Sequence, residues 1–215
     1  MSMEDYIAAR KEGIKQLHAL ESRGQDPYLP VLAELVPKLN QMAQVPLGLV
    51  QIGLDQIEGT ATKGRTTAFA RGFLPLLEQD SEFATKWSIL YDGIVEDGLR
   101  QPIVALEYYN RFYIVEGNKR VSVMRRLDAV NIEANVTRVL PEAEDSERYR
   151  VYQEFLSFYA DTKLNFIVFS REGSYERLYK LIGKTPGEKW TPEDLFDFQS
   201  CFYRFQQAYN AKAEG

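Results

Sequence analysis

The segment 101–140 constrains the fold most, because its pattern changes from strand to helix and back to strand. Two runs rich in Val, Ile, Tyr and Phe flank Tyr109-Asn110, and this arrangement predicts a β-hairpin. Gly117 ends the second run, and the sequence NKRVSVMRRLDAV then has helical apolar spacing. IEANVTRVL alternates as a further strand, which Pro141 closes. This order predicts an α/β (α+β) fold built on a mixed sheet.

Four further elements are predicted upstream from periodicity and from capping signals. They are a helix over Met3–Leu20, a short helix over Val31–Met42 that Pro37 interrupts, a buried strand over Leu47–Leu54, and a helix that Ser81 caps and Gly98 ends. The sequence between that strand and that helix, EGTATKGRTTAFARGF, predicts a polar loop leading into a short helix.

The character of the chain changes after Pro141. Sixteen of its twenty-seven aromatic residues lie from Tyr149 onward. Helices are predicted over 146–160, 174–182 and 192–209, which divides the chain into an N-terminal helical extension (1–45), a core (46–141) and a C-terminal helical region (142–215). In the last helix, large apolar groups form a seam with 3-4-3-4 spacing, which either packs on its own core or makes a homodimer through the C-terminal helices. The seam consists of Leu195, Phe198, Phe202, Phe205 and Tyr209.

Charge and rare residues exclude several classes of protein. The 215 residues include 26 Lys plus Arg and 31 Asp plus Glu, so a net charge of -5 argues against coating nucleic acid or anionic membrane by bulk charge. One cysteine, Cys201, and one histidine, His18, exclude an intramolecular disulfide and a Cys/His zinc site. No stretch approaches the roughly 20 apolar residues of a membrane span, and with a single thiol we expect a cytoplasmic protein without membrane contact.

The strongest local signal for chemistry is the sequence from Ile114 to Ser122, IVEGNKRVS. A strand ends in Glu116, a glycine permits a tight turn, and Lys119 and Arg120 lie in the first turn of a helix. Cations there oppose the helix dipole, and a bound phosphate would offset this cost, because the helix start and both cations attract negative charge. The alternative is a solvated Lys-Arg pair.

A second basic segment covers Thr60–Arg71. It holds Lys63, Arg65 and Arg71 with four threonines, and no acid lies between Glu58 and Glu78. We interpret it as a second phosphate-contacting loop, with a polar surface connection as the alternative.

Together these segments resemble the N-terminal domain of ParB chromosome-partitioning proteins over roughly Leu47 to Pro141. The resemblance rests on the run Gly98-Leu99-Arg100-Gln101-Pro102-Ile103, the hairpin, and the box Gly117-Asn118-Lys119-Arg120, which stands where ParB has Gly-Glu-Arg-Arg. The wider superfamily includes sulfiredoxin, free-serine kinases and restriction-type nucleases, and it implies a ParB/sulfiredoxin-like fold with a nucleotide site at this box.

The resemblance implies a nucleoside triphosphate, CTP or ATP, bound with Mg²⁺. Lys119 and Arg120 would clamp the phosphates, and the amides of Gly117 and Asn118 would add donors. Lys63 and Arg65 would close over the ligand, while Gln101 and Pro102 would shape the base or ribose pocket. The nucleotide would then act as a slowly hydrolysed switch for association of the C-terminal helices.

Three differences from the family pattern reduce the number of activities that the resemblance implies. Asn118 replaces the catalytic cysteine of the sulfiredoxin box, which excludes sulfinic-acid reduction by that chemistry. No basic recognition helix follows Pro141, so sequence-specific DNA binding is not expected, although a DNA-binding regulator remains an alternative. Glu116 is similar to the acid of the kinase and nuclease boxes.

Glu116 therefore has two interpretations. As a catalytic or metal-binding carboxylate it would hold Mg²⁺ or accept a proton in a phosphotransferase or nuclease. Alternatively, it would pair with Lys119 or Arg111 and orient the loop.

Overall fold

A five-stranded mixed sheet organises the first part of the chain. The computed structural model describes residues 2–64 and 66–213, and the chain divides into two compact units, 1–142 and 143–215. In the first unit the strand order is β1-β5-β3-β4-β2. The strands are β1 Gln44–Gly53, β2 Ile57–Thr60, β3 Ile103–Tyr108, β4 Arg111–Glu116 and β5 Asn131–Val139. β3 pairs with β4 and β1 with β5 in antiparallel fashion, whereas β3–β5 and β2–β4 are parallel, which confirms the predicted mixed α/β fold.

The predicted hairpin is confirmed as β3–β4. Its two turn residues, Tyr109 and Asn110, have φ values of 51° and 62°. A two-residue turn with positive φ at both positions matches the twist of the strands that it joins. The Asn110 amide also donates to the Glu107 carboxylate at 2.7 Å, which fixes the turn against β3.

Three helices of the first unit supply the core of one sheet face. They are α1 Ser2–Glu21, α3 Glu82–Asp97 and α4 Asn118–Arg126. Tyr6, Trp87, Ile114 and Val121 are buried in one cluster. The Trp87 indole N–H donates to the Ser122 hydroxyl at 2.9 Å, so a buried hydrogen bond joins α3 to α4.

The predicted caps of α3 are confirmed, because the Ser81 side chain accepts from the Ala84 amide and Gly98 follows the helix with φ 76°.

A buried ion pair joins two central strands. Arg138 of β5 donates to the carboxylate of Glu107 on β3, and the two residues are register partners. Both side chains are buried, so the pair leaves no isolated charge inside the sheet.

Of three sequence predictions for this unit, one is confirmed and two need correction. The predicted interruption of the helix over 31–42 at Pro37 is confirmed, because α2 Leu32–Leu35 and a 3-10 turn, Leu39–Gln41, lie on either side of it. The predicted polar loop begins with strand β2, since Ile57–Thr60 pairs in parallel with β4, and a 3-10 turn over Thr66–Ala68 follows. The strand predicted to be buried, β1, lies at the sheet edge and is mostly exposed, with Leu49 60% accessible.

The second unit consists of α5 Glu147–Thr162, α6 Ser174–Ile182 and α7 Pro192–Ala213, as predicted from the sequence. Its core is an aromatic cluster in which Phe158 contacts Tyr175, Tyr179 and Trp190. Among the described residues, none of the helices combines the length and the apolar composition that a membrane span requires.

The predicted seam of α7 is covered only in part. Phe198 packs on Trp190 and Phe202 on Phe166, at centroid distances of 5.2 and 5.3 Å. Phe205 and Tyr209, one and two turns further on, are 64% and 65% exposed. The seam therefore packs on its own core in its first half, whereas a role in dimerisation stays a prediction for its second half.

Candidate functional site

The turn from β4 into α4 requires a glycine. Gly117 has φ 115°, a region that side chains rarely adopt. A Cβ atom at this position would also lie 2.6 Å from Cγ2 of Ile103, so the backbone passes close to β3. The helix begins immediately afterwards, because the Val121 amide donates to the Gly117 carbonyl at 3.0 Å. The first amides of α4 have no acceptor inside the helix, and Gly117 has no side chain to cap them.

Arg120 ties this turn to the segment before β3. Its guanidinium donates to the carbonyl oxygens of Gln101 at 3.1 Å and Pro102 at 2.5 Å. A third bond goes to the Glu116 carboxylate at 3.0 Å. The Arg120 side chain is only 13% exposed, so it joins the Gln101-Pro102 segment to the Gly117 turn as a fixed connection. Both segments belong to motifs that carry the sequence resemblance.

The orienting interpretation predicts that Glu116 pairs with Lys119 or Arg111, but the structure gives it another partner. It pairs with Arg120, while Arg111 donates to the Asp55 carbonyl at 3.4 Å. The two residues are four positions apart, and the left-handed Gly117 lies between them. The Glu116 side chain is 73% exposed, so its carboxylate lies at the surface of the site.

A cavity of about 720 Å³ opens in front of this turn. One side is apolar and comes mainly from α3 and the residue after its C-terminal glycine. The other side is the polar start of α4. Of the residues predicted for the site, six line the cavity: Gln101, Glu116, Gly117, Asn118, Lys119 and Arg120. The apolar side includes Phe69, Phe83, Leu90, Ile94 and Leu99.

Lys119 and Asn118 lie at the junction of the two sides. The Lys119 ammonium is 4.5 Å from the centre of the Phe83 ring, which is within the range of a cation–π contact. The Oδ1 atom of Asn118 is buried and has no hydrogen-bond partner among the described residues.

The charges around the cavity are nearly balanced. Arg100, Lys119 and Arg120 face Asp97 and Glu116. Arg100 pairs with Asp97 at 2.5 Å, just as Arg120 pairs with Glu116. Among residues 2–64 and 66–213, no group of three His, Cys, Asp or Glu side chains could hold a metal ion.

Two cations of the second basic segment, Lys63 and Arg71, are not among the residues that line the cavity. Lys63 pairs with Glu34 at 2.8 Å, and this carboxylate raises the pKa of Lys63. Gly64 lines the cavity, but Lys63 does not. Arg71 lies 3.8 Å from Glu58. Arg65 lies outside the described residues, so its predicted role stays a prediction.

Arg125 is a supporting residue that the sequence analysis did not identify. Its guanidinium donates to the carbonyls of Leu54 at 2.9 Å, Ile57 at 2.8 Å and Gly72 at 3.0 Å. Burial lowers the pKa of Arg125, and the cation also lies 4.9 Å from the centre of the Phe73 ring. Helical spacing gave no signal for this role, because the carbonyl partners are distant in sequence.

Comparison with known proteins finds a weak similarity to a solved structure. No family model and no curated protein matches the sequence. Among solved structures, the chain is similar to sulfiredoxin from Arabidopsis thaliana at 20% sequence identity and a TM-score of 0.30. The match covers 41% of this chain and 82% of the sulfiredoxin chain, and it is weak.

Proposed function

We propose that the first unit binds a nucleoside triphosphate, CTP or ATP, in the cavity in front of α4. The observation that carries this proposal is the junction of an apolar wall with an uncapped helix start in one cavity of about 720 Å³. Ligand pockets of this kind typically measure about 300–1,000 Å³ and combine an apolar lining with a few polar groups. A nucleotide has the matching two-part chemistry.

The base would lie against the apolar wall. Phe83, Leu90 and Leu99 present flat or branched apolar surface there, which suits one aromatic ring system. Gln101 lines the same cavity, and its carbonyl is held by Arg120. Pro102 is held in the same way, so both residues would fix the shape of the base or ribose pocket.

The phosphates would lie at the start of α4. Amide groups of a helix start and the positive end of its dipole favour negative charge. Lys119 adds a cation beside the amides of Gly117 and Asn118. Arg120 holds the turn with one terminal nitrogen, and its other terminal nitrogen would bind a phosphate oxygen in place of Glu116.

Magnesium would arrive with the phosphates. Mg²⁺ usually keeps several waters and binds one or two carboxylates together with phosphate oxygens. Glu116 is exposed at the edge of the cavity, but its carboxylate pairs with Arg120 at 3.0 Å, so we propose that phosphate oxygens and water supply the magnesium ligands. The described residues provide no larger acidic cluster, so we propose no metal site held by protein ligands alone.

The alternative functions have less support. A phosphotransferase or nuclease would need Glu116 to act on a second substrate, and its carboxylate pairs with Arg120. A DNA-binding regulator would need a joined basic patch. Lys63, Arg71 and Arg120 each pair with a carboxylate instead.

Thermal shift and calorimetry test the proposal. CTP, ATP and inorganic tripolyphosphate are added to the full chain with Mg²⁺, and a ligand at 100 times its dissociation constant should add about 2.7 kcal/mol of stability. We expect one of the nucleotides to bind more tightly than tripolyphosphate, since only a nucleotide fills the apolar side. No shift with either nucleotide, or a stronger shift with tripolyphosphate, would contradict nucleotide binding.

A further inference from the structure

The Glu116 carboxylate lies on the part of Arg120 that a bound anion would use. One terminal nitrogen of the guanidinium donates to the carbonyls of Gln101 and Pro102. The other terminal nitrogen donates to Glu116. Because a carboxylate and a phosphate oxygen are equivalent acceptors for guanidinium, both would compete for that second nitrogen.

The same carboxylate also limits the charge that the cavity can accept. Three cations and two carboxylates line it, so the net charge of the lining is small. The second carboxylate of the lining, Asp97, forms an ion pair with Arg100, so the charge of that cation is already compensated. A ligand with several negative charges would therefore meet repulsion from Glu116 in addition to attraction from Lys119.

We propose that Glu116 determines the charge specificity of this site by competing with the ligand's anion for Arg120. The inference rests on the proposed function, and it gives Glu116 a role opposite to that of a metal ligand or a catalytic base. Glu116 weakens the binding of free polyanions, and it weakens them more as their negative charge increases. Magnesium bound to the phosphates reduces this penalty, because it lowers the charge that Glu116 faces.

The test is Glu116→Gln, which keeps the shape of the side chain and removes its charge. Binding of AMP, ADP and ATP is measured by calorimetry without Mg²⁺, and ATP binding is repeated with Mg²⁺. An exposed ion pair is worth up to about 1 kcal/mol, so we expect AMP affinity to rise about two- to fivefold. For free ATP the rise should be larger, about tenfold, and Mg²⁺ should reduce it.

A matched control separates competition at Arg120 from a general change of charge. Glu58→Gln removes a carboxylate that lies 3.8 Å from Arg71, outside the cavity lining. It should leave nucleotide affinity unchanged. Melting temperatures check that each variant is folded, and Glu116→Ala provides a second variant in which no side-chain oxygen can reach Arg120.

Each other outcome contradicts the inference in a recognisable way. Weaker binding of the magnesium complex by Glu116→Gln would identify a metal ligand and would leave the proposed function intact. An equal gain in Glu58→Gln would show a general electrostatic effect. If neither the original protein nor the variant binds any nucleotide, both the proposed function and the inference are wrong.

Discussion

The Arg120 guanidinium donates to the Pro102 carbonyl oxygen at 2.5 Å across the gap between the Gly117 turn and the segment before β3. This bond distinguishes the role of Arg120 from that of Lys119, although the two cations are adjacent in the sequence. Arg120 is largely buried and connects backbone segments, whereas Lys119 lies over Phe83 at the cavity. The two residues should therefore respond differently to substitution.

Lys119→Ala should reduce nucleotide affinity with little effect on folding. The loss of a charge-assisted hydrogen bond is worth about 1.5–3 kcal/mol, which is roughly tenfold or more in affinity. Arg120→Ala should also lower stability, by about 1–3 kcal/mol, because it leaves the Gln101 and Pro102 carbonyls without their donor. Calorimetry with CTP or ATP and thermal unfolding of both variants make the comparison. Full affinity in a folded Lys119→Ala protein would rule out the phosphate role.

Gly117→Ala should destabilise the first unit. The new Cβ would lie 2.6 Å from Ile103 Cγ2, and φ 115° is strained for any residue with a side chain. Strain of this kind costs about 1–3 kcal/mol, and the close contact adds to it.

Gly93→Ala is the control, because Gly93 lies inside α3 with nothing within 4 Å of its Cβ position. That change should stabilise the protein by about 1 kcal/mol, since alanine favours a helix. Urea unfolding measures both, and equal stabilities would contradict the account of this turn.

The Glu107 and Arg138 pair should show strong coupling. Arg138→Met leaves a buried carboxylate without its cation, and the expected loss is about 3–5 kcal/mol. Replacing both residues, with Glu107→Leu added, should cost less than the two single losses together, because no buried charge remains. A double-mutant cycle from denaturant unfolding gives the interaction energy. Additive losses would show that the two charges act independently.

Much of the fold could be predicted where local signals agree with tertiary structure. Tyr109-Asn110 marks its own turn, and Ser81 and Gly98 mark the ends of α3. Strand β2 was missed because it has only four residues and depends on a parallel partner, β4, that is distant in sequence. Its sequence looks like the start of a polar loop until that partner is known.

The candidate site could be predicted only in part, because the sequence shows which residues are neighbours along the chain but not which distant segments meet. Gly117 and Lys119 share one short segment, so their proximity to the cavity follows from the chain itself. The pairing of Lys63 with Glu34 and the buried position of Arg125 depend on which distant segments meet them. Charge and spacing in one sequence do not contain that information.

The start of α7 should make the second unit sensitive to acid. The Asp194 carboxylate accepts from the Lys184 ammonium at 2.6 Å and from the Thr191 amide at 2.9 Å. These bonds, the Lys184 bond first, lower the pKa of Asp194 from 3.8 to about 2. A group whose pKa is lowered by folding binds its proton more readily when unfolded, so its contribution is fully present above about pH 4. That contribution is lost as the pH falls from 3.8 to about 2.

Asp194→Asn should therefore be less stable than the original protein at pH 5, and the difference should shrink as the pH approaches 2. Thermal unfolding of both proteins between pH 5 and 2 measures this difference. Asp197→Asn changes an exposed acid of the same helix and serves as the control. A stability difference that stays constant over this range would show that the carboxylate's charge does not cap the helix.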